Sequence, residues 1–133
     1  MKKLRMMIII KDIEKFFKDL EDISFKDISD LKSKEKFYAL SMLMFTIVNR
    51  AIYLGEEIIS YKSLGFPEKY RDIFMLLEKG KVIDHEMAGA LSGLIYYRNL
   101  AAHEYHEFTN DDLMEFYKKI FVVKGFVDCV KGL

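Results

Sequence analysis

Tryptophan is missing from this chain, and cysteine and proline occur once each, as Cys129 and Pro67. One cysteine excludes an intramolecular disulfide and a paired-cysteine metal site, and it fits a reducing compartment. Cys129 stands close to Val127 and Val130, where it reads as a packed thiol and not as a nucleophile. With a single proline and 7 glycines there is no Pro/Gly/Ser-rich linker, so residues 1–133 read as one domain. An excess of either charge is lacking too: 21 Lys and Arg balance 21 Asp and Glu. That balance removes the broad field by which nonspecific polyanion binders gather nucleic acid, so any such contact has to come from a local patch. Long hydrophobic runs are also absent. The stretch from Ala39 to Val48 ends at Asn49-Arg50, short of a bilayer span. Met6 to Ile10 follows Lys2, Lys3 and Arg5, but the run is too short and has no small-residue cleavage site for a secretory signal. A cytoplasmic protein without a membrane partner is expected.

What is present is helical periodicity, in a chain that is 51% hydrophobic and 32% charged, a globular balance. A first helix is expected from about Ile8 to Asp22, then a polar link from Ser24 to Lys32. Ser33 is a plausible N-cap for a long second helix ending near Tyr61. Its seam of Phe37, Leu40, Met44, Ile47, Ala51, Leu54, Ile58 and Tyr61 is spaced 3,4,3,4,3,4,3. A second seam carries Met42, Phe45, Asn49, Ile52, Glu56 and Ile59, which suits a central bundle helix or one facing a partner subunit. Ser63-Leu64-Gly65-Phe66-Pro67 breaks the pattern, and a short helix from Lys69 to Lys79 is stopped by Gly80. Asp84 caps a fourth helix running through Met87, Leu91, Leu94 and Ile95, and Thr109 caps a fifth, with Asp111 and Asp112 in its first turn. The fifth helix has the seam Leu113, Phe116, Ile120, Val123, Val127 and Val130, weakened at Gly125. The expected fold is all-α: an up-and-down bundle of four main helices plus a short one, dimerising.

The fourth helix leads into Arg98-Asn99-Leu100-Ala101-Ala102-His103-Glu104-Tyr105. Four polar groups that are costly to bury unpaired stand together there in an apolar pattern. Arginine offers a rigid fork of donors to a phosphate, and histidine gives or takes a proton near neutral pH, a pair suited to phosphodiester chemistry. The two are five residues apart, so on an ideal helix they lie about 140° around the axis from each other. Either the helix ends or bends between them, or two copies of the chain share one site. Ala88, Leu91, Ile95, Arg98, Ala102 and Tyr105 form one stripe, and Ala101 and Ala102 allow another helix close, which favours a twofold dimer. The alternative is a structural role, in which Arg98 and His103 cap, pair or face solvent. Asn99 reads as an orienting or helix-ending amide. Asn49 and Glu56 interrupt the second seam one heptad apart, placed either to support Arg98 or, for Glu56, to pair at the surface. His85 and His106 have no partner pattern. His103 and His106, near Glu104 and Glu107, lack a third ligand at fixed spacing, so neither metal nor cofactor is expected. No phosphate-cradling glycine loop, serine elbow or interleaved basic-aromatic surface is present.

Tyr97-Arg98-Asn99-Leu100-Ala101-Ala102-His103-Glu104-Tyr105 resembles the Arg-x4-His-x-Tyr signature of HepT-like proteins in the HEPN superfamily. The likeness extends over roughly residues 8 to 125: the long second helix with Ala51 and Glu56, the Leu64-Gly65-Phe66-Pro67 loop, the short helix ending at Gly80, and Val82-Ile83 before the motif helix. The resemblance implies a homodimeric, metal-independent ribonuclease toxin that cleaves RNA, with tRNA as one candidate. Its implied partner is a minimal nucleotidyltransferase antitoxin. Arg98 and His103 are then the catalytic pair, Asn99 an auxiliary, and Tyr105 the phenol that the antitoxin adenylylates. The rival reading is a non-catalytic subunit that holds a nucleotide or substrate for a minimal nucleotidyltransferase.

Overall fold

The computed structural model describes residues 2–23, 28–103 and 107–133. Among them every regular element is helical. The order is α1 (Lys2–Asp22), a 3-10 turn (Ile28–Lys32), α2 (Lys34–Lys62), α3 (Tyr70–Lys79), α4 (His85–His103), α5 (Asn110–Lys119) and α6 (Val122–Lys131). Four long helical runs, with α5 and α6 as one of them, surround a core to which short α3 adds a wall.

Local chemistry sets most of the boundaries. Ser33 caps α2 by accepting from Lys36 N–H, Asp84 Oδ1 accepts from Met87 N–H at 2.8 Å, and Thr109 and Asp112 cap α5 reciprocally. Gly80 ends α3 by a different route from a left-handed glycine cap: its φ is −79°, and Lys81 carries the positive φ of 61°. What needs glycine at 80 is Leu64, whose side-chain carbons lie 2.8 Å from where a Cβ would stand. α1 begins earlier than its polar first turn suggests, at Lys2, because Met6, Ile9 and Ile10 are already buried. The expected fifth helix is interrupted at Ile120-Phe121. Both residues keep right-handed helical angles, and Val123 N–H and Lys124 N–H bond back three residues to Ile120 and Phe121. This tightening preserves the face, so Leu113, Phe116, Ile120, Val123, Val127 and Val130 are all buried.

α2 is the central element, packed against α1, α3, α4, α5 and α6. Its first seam is core from Leu40 to Ile58. The second seam divides: Ile52 and Ile59 are buried, Phe45 and Asn49 half-buried, Met42 and Glu56 exposed. By length and composition α2 is apolar enough to cross a membrane, contrary to the reading of its longest uncharged run. Its apolar side is occupied by the other helices, as in the core helix of a bundle.

At Gly55 α2 meets α3 so closely that a Cβ would stand 2.5 Å from Ile73 Cγ2. Gly55→Ala is therefore expected to destabilise. Overpacking costs about 1–3 kcal/mol, against a helix-propensity gain of at most about 1 kcal/mol. Thermal unfolding checks it: the variant melts several degrees lower.

Candidate active site

α4 runs unbroken from His85 to His103, and its buried residues Ala88, Leu91, Leu94, Ile95 and Leu100 set its rotation in the bundle. That rotation puts Arg98 half-buried between α2 and α3. Arg98 Nε donates to Asn49 Oδ1 at 2.9 Å, and Nη1 donates to Asn99 Oδ1 at 3.0 Å. The guanidinium carbon lies 5.1 Å from the ring centroids of both Phe45 and Tyr70. Two aromatic rings and two amides therefore hold one flat cation, which removes rotamer freedom and aims its donor fork before any ligand arrives.

Arg98 and His103 both line an open groove of about 750 Å³, together with Lys69, Tyr70, Arg71, Ile95, Tyr96, Asn99 and Leu100. The helix does not end between the pair: α4 is continuous through both. The 140° separation is accommodated because the groove lies over more than half of the helix circumference at the end of α4. His103 is exposed on the last helical residue. Glu104, Tyr105 and His106 lie outside the described residues. Among the described residues, the groove lining holds two lysine or arginine side chains besides Arg98, and no carboxylate. A chain with no net charge thus carries a local cationic patch at this place.

Asn49 touches Arg98, whereas Glu56, one heptad further along α2, is exposed and does not line the groove. Partial burial, and then the neighbouring Glu57 charge, raises the Glu56 carboxyl above its ordinary 4.5. A raised carboxyl favours the folded state below that ordinary value and loses this contribution as pH rises through the raised one. Glu56→Gln should match the native protein in thermal melts near pH 4 and melt slightly higher at pH 7, the effect being small for an exposed group. His85 has a partner that its sequence context did not indicate: its Nδ1 lies 3.0 Å from Glu78 Oε2. Among the described residues no three His, Cys, Asp or Glu side chains are placed to hold a metal ion.

Sequence reasoning did not find the α3 wall of Lys69, Tyr70 and Arg71, nor Tyr96 and Phe45. A signal existed for the wall. The short connection between Lys79 and His85 folds α3 back antiparallel along α4, which returns Tyr70 to the level of Ile95 and Arg98. Beside the groove, Tyr38, Ser41, Met42, Phe45, Ala101 and Ala102 line a shallow apolar hollow of about 370 Å³, so Phe45 borders both.

The chain is thus a helical bundle with an Arg/His groove at the end of its fourth helix. The pattern of the family Ribonuclease HepT-like matches residues 6–129, and the chain belongs to that family. Among solved structures, a tri-AMPylated HEPN toxin of Shewanella oneidensis, in complex with MNT antitoxin, has a TM-score of 0.87 at 22% identity, over 96% of this chain and 97% of that one. A toxin–antitoxin structure with AMP-PNP gives 0.79 at 20% identity, over 98% and 97%. YutE of Bacillus subtilis, described as a cytosolic protein of unknown function, gives 0.75 at 21% identity, over 92% and 87%. What such identities share is the fold. Sequence comparison with curated proteins finds no match.

Proposed function

We propose that the protein is a metal-independent endoribonuclease, the toxin of a pair whose antitoxin is a minimal nucleotidyltransferase, and that it acts in the cytosol as a homodimer. The observation that carries this is the immobilised Arg98, held by Asn49, Asn99, Phe45 and Tyr70 in a groove that His103 also lines. Membership of the family supports it.

In this reading the ribose 2′-oxygen attacks the adjacent phosphorus while the bond to the 5′-oxygen breaks. An imidazole takes the 2′-OH proton, and an imidazolium gives one to the departing 5′-oxygen. His103 supplies both roles when two copies bring two Arg98/His103 sets into one cleft. Arg98 stabilises the negative charge that grows on the phosphate oxygens. Asn49 and Asn99 are positioning residues, since they act through Arg98. The nucleophile is internal to the substrate, so no step calls for a metal. The apolar hollow at Tyr38, Met42, Phe45, Ala101 and Ala102 is the face a second copy would cover; Tyr38 and Met42 are 53% and 65% exposed. Tyr105, two residues beyond His103, is the proposed acceptor of AMP. An adenylyl group there would block RNA.

Expression in a bacterial host tests the proposal. Growth arrest that Arg98→Ala relieves supports it. Co-expressed nucleotidyltransferase should restore growth and add the mass of AMP to the native protein but not to Tyr105→Phe. No arrest from a folded, unmodified protein would count against the nuclease and for a subunit that binds without cleaving.

A further inference from the structure

We infer that the first turn of α3, facing Tyr96 of α4, is the track that holds single-stranded RNA beside the cleaved bond: Lys69 and Arg71 take flanking phosphates, and Tyr96 stacks an unpaired base. This rests on the ribonuclease reading of the same groove. The chain has as many acids as bases, yet Lys69, Arg71, Arg98 and His103 line one groove and none of the described acids does. Lys69 and Arg71 are exposed and in no ion pair with a described carboxylate. Two acids flank them: Glu68 is exposed outside the groove lining, and Asp72 is turned to the backbone, where its Oδ2 accepts from Glu68 N–H at 3.1 Å and Lys69 N–H at 3.0 Å. The two cations are thus presented on a capped helix start, next to the Arg98 that Tyr70 covers.

Tyr96 supplies the second half. It is 53% exposed in the groove wall, and its ring is braced edge-on by Tyr97 at 5.1 Å. Tyr97 is in turn stacked on buried Phe116 at 5.4 Å. A rigid, half-exposed ring beside cations is the combination that binds unpaired nucleotides, because stacking needs a base face that a duplex keeps covered. The phosphates give affinity and the ring selects strandedness.

Binding is measured with the His103→Ala protein, so that no turnover interferes, and a short fluorescein-labelled single-stranded RNA at several salt concentrations. Lys69→Ala/Arg71→Ala should weaken binding about tenfold and flatten the slope of log affinity against log salt by about 1.4, two phosphate contacts on a single strand. Tyr96→Ala should weaken binding about tenfold, and Tyr96→Phe should retain it. The same RNA annealed into a duplex should bind at least about tenfold more weakly. An unchanged affinity and slope in the double variant, or equal affinity for the duplex, overturns the inference. So does loss of nucleotidyltransferase binding with RNA binding intact, which would assign this turn to a protein partner. Native protein that binds in the expected pattern but cleaves nothing overturns the ribonuclease reading and leaves the track standing. Cleavage without these binding effects overturns the track alone.

Discussion

Arg98→Lys is expected to lower kcat/KM for RNA cleavage by about 10²–10³-fold although the positive charge is retained. The reason is shape. Lysine has no Nε–H aligned with Asn49 Oδ1, no second donor on the same plane for Asn99, and no flat face to lie between Phe45 and Tyr70. An ammonium on a flexible stem would have to be ordered in each catalytic cycle, whereas the guanidinium is ordered beforehand. Steady-state cleavage of tRNA measures the effect, with circular dichroism melting to show that the bundle persists. A variant within threefold of the native rate would mean that charge alone matters and that the clamp has no catalytic role.

His103→Ala should lower the rate by about 10²–10⁴-fold, the range for loss of a general acid or base. It should do so with almost no change in melting temperature. His103 is exposed at the end of α4, and surface replacements of this kind usually change stability by no more than about 0.5 kcal/mol. That pairing of a large kinetic effect with a negligible thermal one separates the catalytic role from a structural one. Were His103 a helix-end stabiliser, the melting temperature would fall and the chemistry would be untouched.

The parts of the fold legible in the sequence are those set by local chemistry. Ser33, Asp84 and Thr109 were readable as caps because a cap is a side chain bonding a backbone two or three residues away. The seam from Leu40 to Ile58 was readable because period alone puts it on one face. Tertiary contacts were not readable in this way. Met6, Ile9 and Ile10 extend α1 because the rest of the bundle covers them, and ion pairs from Glu14 to Lys131 and Glu21 to Lys124 tie that helix to α6. The tightening at Ile120-Phe121 keeps the seam in register, so periodicity carries no trace of it.

The same division runs through the site. Arg98, Asn99 and His103 stood out as polar residues in an apolar pattern, and Asn49 as a break in a seam. Glu56 broke that seam equally well, but the seam leaves the groove before reaching it, and only packing distinguishes the two. Phe45 and Tyr70 look like ordinary aromatics until α2 and α3 each bring a ring to Arg98.

The most direct test is incubation of total RNA and tRNA with purified protein in EDTA, beside His103→Ala, after intact mass has shown that Tyr105 carries no AMP. The account predicts cleavage by the native protein only, leaving 2′,3′-cyclic phosphate and 5′-hydroxyl ends. No cleavage by the folded, unmodified protein, or equal cleavage by the variant, would contradict it.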